Sequence, residues 1–266
     1  MRRLVYIIFI AGILNSFGAH GQSNADTSEV RANELLEKLA FYPLTLDEKN
    51  ELRHITFYIQ NKGFLLEEQH RKYRAALNYI DKALYIWHAV KDTLSEANLR
   101  KYRGLLLGQL ERYNEGKHEI HIAENLYGLV GFTDGLAVCH FDLAKVYGLE
   151  GRYDSACFYA QMAMDHWDAK KDTFRIVTVR NLMIHLNLSN NDLQAAAELV
   201  RITEPFLVYR GLHWLPMIDF YFLGYEVHKL MNSGDLADKY HTLYYDRLVW
   251  LKQKEIEARS TYAPDS

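Results

Sequence analysis

The chain is short of helix breakers. Its 266 residues include four prolines and 15 glycines, too few for a protein built of short strands and tight turns, so long helices are favoured. It also lacks a basic excess. The formal net charge is −3, which leaves nothing to neutralise a phosphate backbone and argues against a nucleic-acid partner. Beyond the first residues there is no long apolar run, so the mature chain should have no stable membrane insertion. Gly-rich phosphate loops and Gly-x-Ser-x-Gly turns are absent too.

Cysteine is rarer still, with only Cys139 and Cys157. If Gly151 is the turn of a helical hairpin, the two lie about 18 Å and about 9 Å from it along their helices. That offset of about 9 Å exceeds the ~7 Å reach of a disulfide. Both are expected to be small packing residues. His118-Glu119-Ile120-His121 puts two histidines three apart, whereas a zinc-protease helix needs them four apart with a third ligand. They read as surface histidines, and Glu67-Glu68 and Glu255/Glu257 as solvated faces. Nothing converges for chemistry, so neither an enzyme nor a metal or cofactor site is expected.

What is present points to a packed helical protein. Apolar residues make up 49% and charged residues 24%, enough for a large core and against general disorder. The 19 tyrosines suit helical layers packed through aromatics. The N-terminus has the form of a targeting segment: Arg2 and Arg3, then an apolar run from Leu4 to Leu14, then Ala19-His20-Gly21. About 11 apolar residues are too few to span a bilayer. Cleavage after Gly21 is expected, with an uncleaved anchor as the alternative, and the location is then periplasmic or secreted. No cysteine follows to carry a lipid.

The informative feature is internal repetition. Lys72-Tyr73-Arg74-Ala75-Ala76, Arg112-Tyr113-Asn114-Glu115-Gly116 and Arg152-Tyr153-Asp154-Ser155-Ala156 share one chemistry, and their tyrosines are evenly spaced. The same step reaches Leu193 in Asn191-Asp192-Leu193, and a slightly longer one reaches Leu236 in Gly234-Asp235-Leu236. Each anchor opens a helix with small or aliphatic residues on one face, as in Ala76, Ile80, Ala83 and Leu84. Small side chains let a neighbouring axis come close. A second helix precedes each anchor, joined by short polar turns that force an antiparallel hairpin. Lys91-Asp92-Thr93, Thr133-Asp134-Gly135 and Lys171-Asp172-Thr173 break the units apart and offer N-caps. Thr45 with Glu48, after Pro43, is a capping box.

The segment His140-Phe141-Asp142-Leu143-Ala144-Lys145-Val146-Tyr147 carries the Leu–small pair and the later Tyr of the tetratricopeptide pattern, and Gly104 and Leu107 hold the equivalent places one unit earlier. The chain resembles the tetratricopeptide repeat family over roughly Leu46 to Leu251. Its period of about 40 residues resembles the long-repeat variety in the extracytoplasmic sensor regions of Bacteroidetes-type regulators. The resemblance implies an all-α, right-handed solenoid of antiparallel helix pairs: residues 1–21 a signal peptide, 22–45 an N-terminal helix and linker, 46–251 an array of about five pairs, and 252–266 a helix end and frayed tail.

In that family the first helix of each pair lines a concave face, which places Asn98, Lys101, Gln109, Phe141, Lys145, Asn181, His185, Tyr221 and His228 as candidates to hold a protein or peptide. For each of them, packing between hairpins is an equal alternative. The aromatic-rich first helix of the fifth unit, Trp214 to Tyr225, is a further candidate, read as buried rather than as a docking or homodimer surface. The expected function is an exported scaffold or adaptor, with a sensory module working beside a separate kinase or regulator as the alternative. Lys101→Glu with Lys145→Glu is expected to weaken partner capture without lowering thermal stability, as capture assays and melting curves would show.

Overall fold

The computed structural model describes residues 23–70, 72–208 and 214–261. The leader and its cleavage after Gly21, the tail from residue 262, and the side chains of Glu68, Trp214 and Glu255 lie outside the described residues.

Eleven α-helices follow one another among the described residues, with no strand between them. They are α1 Ser23–Phe41, α2 Leu46–His70, α3 Tyr73–Ala89, α4 Thr93–Gln109, α5 Tyr113–Leu129, α6 Thr133–Leu149, α7 Tyr153–Lys170, α8 Thr173–Ser189, α9 Leu193–Thr203, α10 Trp214–Leu230 and α11 Gly234–Thr261. A short 3-10 helix, Glu204–Val208, follows α9, where Pro205 removes the donor an α-helix would need. From α2 onward this is the order of five antiparallel helix pairs. The helices group into two bodies, an N-terminal one ending at Glu150 and a C-terminal one starting at Gly151.

Seven of the reversals have one common cause. Lys91, Glu111, Gly131, Gly151, Lys171, Asn191 and Asn232 all have positive φ, a single left-handed residue that ends each helix. The next amide then reaches back five residues, as in Asp92 N to Trp87 O at 3.1 Å, Arg112 N to Leu107 O at 2.9 Å and Asp192 N to Asn187 O at 2.8 Å. Asp92, Asp172 and Asp192 cap the helices that follow, each accepting a backbone N–H at 3.0 Å. Thr133 and Asp134 do not serve this way: the cap residue there is Phe132, which has no side-chain acceptor. Thr45 and Glu48 form the reciprocal capping box, at 2.9 and 3.3 Å.

Three of the anchors open their helices: Tyr73, Tyr113 and Tyr153, with Leu193 a fourth. The fifth differs from expectation. Its helix starts at Gly234, because Asn232 takes the left-handed turn and Ser233 becomes the cap, accepting from Ala237 N at 3.0 Å. The Asp-Leu likeness around Leu236 is two residues out of register. Ala237 is the buried small residue of α11, and Leu236 is exposed.

Three residues after each anchor stand Ala76, Gly116, Ala156 and Ala196, all buried, and seven further on stand Ala83, Ala123 and Ala163, also buried. The closest approach joins α4 to α5. A Cβ on Gly104 would stand 2.5 Å from Ile120 Cγ1 and 2.6 Å from Gly116 O, and one on Gly116 would stand 2.6 Å from Gly104 O. The core of the N-terminal body extends through α1 to α4, with Leu35, Leu52, Ile80, Trp87 and Leu107 fully enclosed. In the C-terminal body Phe220 and Val227 of α10 pack against Val177, Ile184, Val200 and Tyr240. This is the expected burial of the fifth unit's first helix.

Gly104→Ala or Gly116→Ala should cost about 1–3 kcal/mol by forcing the two backbones apart, more than the helix propensity gained. Gly128→Ala, with nothing within 4 Å, should instead stabilise by about 0.5–1 kcal/mol. Urea denaturation of the three variants checks both signs.

Candidate partner-binding surface

In the N-terminal body, α4 and α6 carry five of the candidates. On α4, Leu94, Asn98 and Gln109 are exposed. The side chain of Asn98 is committed in part: its Oδ1 accepts from Tyr127 OH at 2.7 Å. Trp87 makes the matching bond one unit earlier, donating from Nε1 to Gln60 Oε1 at 3.1 Å. An aromatic at one fixed position near the end of the second helix thus ties it to an amide on the first helix of its own pair. Burial pushes the Tyr127 phenol well above its ordinary range, so it remains a donor.

Lys101 and Lys145 are not two independent cations. Lys101 Nζ lies 3.3 Å from Asp142 Oδ2, and Lys145 Nζ lies 3.3 Å from Asp142 Oδ1. Asp142 is only 2% exposed, and its Oδ2 meets Lys101 without hydrogen-bond alignment. One buried carboxylate therefore holds two ammonium groups, and Lys145 also sits 4.3 Å above the Phe141 ring. Sequence reasoning missed Asp142. Its signal was a carboxylate three residues before Lys145, but its link to Lys101 joins two units and falls one step off the repeat.

The opposite side of α4 carries a second unforeseen network. Glu96 binds Arg100 at 2.8 Å and His88 at 3.0 Å, Glu119 binds Arg100 at 3.1 Å and Arg103 at 3.0 Å, and Arg103 reaches Asp81 at 2.6 Å. It ties α4 to α3 and α5. Nearby, Glu124 lies between His140 at 2.9 Å and His121 at 3.0 Å. The His140 hydrogen bond, ahead of that from His121, holds the Glu124 carboxyl below its usual range against the opposing effect of burial. Among the described residues, no three His, Cys, Asp or Glu are grouped to hold a metal ion. Both cysteines are free thiols, and burial pushes Cys139 up to about 12, leaving it unreactive at neutral pH.

The first pair contributed no candidate from sequence. Gly63 and Gly104 meet equivalent partners, Ala76 and Ile80 against Gly116 and Ile120, so α2 aligns with α4 one residue off the repeat. That puts Phe57, exposed and edge-on to Trp87 at 5.3 Å, in the place of Asn98.

In the C-terminal body the candidates divide differently. His185 is exposed. Asn181 is buried and donates Nδ2 to Pro216 O at 2.8 Å, fastening α8 to the start of α10. Tyr221 is buried beside Phe220. His228 stacks on Tyr240 at 5.4 Å with planes 1° apart, and Tyr240 donates to Glu204 at 3.0 Å. Burial lowers the His228 pKa, opposed by Glu204. Asn181, Tyr221 and His228 therefore pack elements together.

These contacts alter the expectation for the lysines. Removing both would strand a buried carboxylate, so their charge reversal should lower stability as well as capture. Lys101→Met should cost about 2 kcal/mol, and adding Asp142→Asn should return most of it. Thermal melts of the single and double variants decide this.

No protein-family model matches the chain, and no curated protein matches it. Solved structures do. BtubC from P. vanneervenii is similar at 14% identity with a TM-score of 0.57, covering 92% of this chain and 96% of that one. The apo form of RapI is similar at 13% identity and 0.54, covering 96% and 99%. A signal transduction ATPase with a tetratricopeptide repeat sensor, from Pyrococcus horikoshii, is similar at 13% and 0.57, with 95% of this chain covering 43% of that one. At these identities the likeness is one of fold: all-helical, in antiparallel pairs of the tetratricopeptide type.

Proposed function

We propose that this chain is an exported scaffold that holds a protein or peptide partner on the face shared by the first helices of its N-terminal body, α2, α4 and α6. The observation that carries the reading is the pair α4 and α6. Leu94, Asn98 and Gln109 on one, and Leu149 beside Phe141 and Lys145 on the other, leave apolar and amide groups accessible on adjacent first helices. Phe57 of α2 extends the same chemistry. Such a mixture suits an extended or helical segment of another protein. A tetratricopeptide-type fold supports binding over chemistry.

Export rests on Arg2, Arg3 and the apolar run Leu4 to Leu14. No described helix is long and apolar enough to cross a membrane. The second reading, a sensory module, is favoured by the Pyrococcus protein, whose tetratricopeptide repeats form a sensor.

In-cell crosslinking should identify the partner, and the purified pair should then be titrated. Leu94→Asp with Leu149→Asp should weaken binding at least about tenfold with a loss of stability of no more than about 1–2 kcal/mol, since both side chains are about half exposed. Undiminished affinity would overturn the face. The mature chain should begin at Gln22 by mass spectrometry, and a chain beginning at Met1 would refute cleavage. A change in scattering radius on binding would favour the sensor over the scaffold.

A further inference from the structure

The two inner pairs of the N-terminal body show what a second helix does with its outer face. Take the positions four, eight, eleven and fifteen places after the anchor. On α3 these are Leu77, Asp81, Leu84 and His88, and on α5 they are Lys117, His121, Glu124 and Gly128. Asp81 and His88 grip Arg103 and Glu96 of α4. Lys117 grips Glu150 at 2.7 Å and lies over the Tyr147 ring, and Glu124 grips His140 of α6. The pairing is antiparallel: the later position on the second helix meets the earlier one on its successor.

On α11, taken from Gly234, the same four positions are Asp238, Thr242, Tyr245 and Val249, and two more turns bring Lys252 and Ile256 onto that stripe. All six are exposed, Tyr245 by 49%, Val249 by 63% and Ile256 by 60%. The helix also has 28 residues against 17 in α10, so it outruns its own partner by about 16 Å.

We propose that this face of α11 pairs with the same face of a second copy of the chain. Its charge pattern is self-complementary. Asp238 lies seven residues before Tyr245 and Lys252 seven residues after it. Each is about 10 Å along the axis and within about 20° of one stripe. A two-fold axis through Tyr245 sets Asp238 of each copy against Lys252 of the other and closes both ion pairs at once. It also brings Val249 against the His241–Thr242 turn, and covers both tyrosines with each other. The antiparallel sense is the one the inner pairs use.

Sedimentation equilibrium of the full chain tests this. The wild type should dimerise with a concentration-dependent mass. Asp238→Lys and Lys252→Asp alone should each weaken the dimer about tenfold, by replacing two attractions with two repulsions. The double swap, Asp238→Lys with Lys252→Asp, should restore it to within about twofold. Tyr245→Glu should abolish it. Circular dichroism should be unchanged throughout, because these side chains are exposed. A monomer at every concentration up to the solubility limit would overturn the proposal, leaving a helix from another protein as the occupant. A dimer indifferent to the single swaps, or a double swap as weak as either single one, would also overturn it.

Discussion

The regular part of this chain, from α3 to α9, hangs on a helix reversal completed in two or three residues. A left-handed residue ends one helix, and the next residue caps its successor. The helices α4, α5 and α6 each have 17 residues, and three residues separate each from the next. Two such helices with their two turns make one repeat, so the period follows from the turn together with the helix length. The long repeat is a matter of longer helices, about 25 Å each, rather than of longer loops. Such stiff elements must meet along their whole length, and this explains why the small residues recur at two heights on the second helices α3, α5 and α7. Ala76 and Ala83, Gly116 and Ala123, Ala156 and Ala163 are spaced seven apart, two turns of one face. A single bulky residue in that column would lever the axes apart rather than fill a gap.

The repeat was legible because both determinants are local. Anchors and turn residues sit at fixed separations, and each acts within a few residues of itself. The two misreadings of the frame have the same origin. Asp235-Leu236 copies the chemistry of Asp192-Leu193, but a backbone turn is decided by which residue tolerates positive φ, and Asn232 precedes the copy. Thr133-Asp134 resembles a cap, yet the left-handed Gly131 comes one residue too early for Thr133 and two too early for Asp134 to be placed as one. Local chemistry locates a turn to within about two residues, and the conformational preference of one residue decides the rest.

The candidate surface was less legible, because the residues that decide it are distant in sequence. Lys101, Phe141, Asn181 and Tyr221 stand one repeat apart, in a single column of first-helix positions. Sequence treats them alike. The structure does not: Lys101 is neutralised by Asp142, Phe141 lies under Lys145, Asn181 fastens α10, and Tyr221 is enclosed. The difference lies in neighbours that do not repeat. Asp142 stands where the units on either side have Tyr102 and Leu182, so only one unit has a carboxylate to offer a lysine there. Periodicity predicts where a side chain stands and carries no information about what a non-repeating neighbour does to it.

The charges make the same point from the other direction. The N-terminal body places five of its acids between helices. Asp81, Glu96, Glu119 and Glu124 each bridge a second helix to a first one, and Asp142 joins two first helices. Pairs of this kind gain little where they are exposed, but these are partly buried, and an error in helix register would leave several of them without a countercharge. They therefore act chiefly on specificity, by penalising any stacking in which a second helix meets the wrong turn of its successor. Small residues set how close the helices come, and the acids set their axial position. Among the described helices the outer stripe of α11 stands at the same helical positions with different residues, Asp238, Thr242, Tyr245 and Val249, and it lies exposed, so the charges that would fix the axial position of a contact there are its own, Asp238 and Lys252.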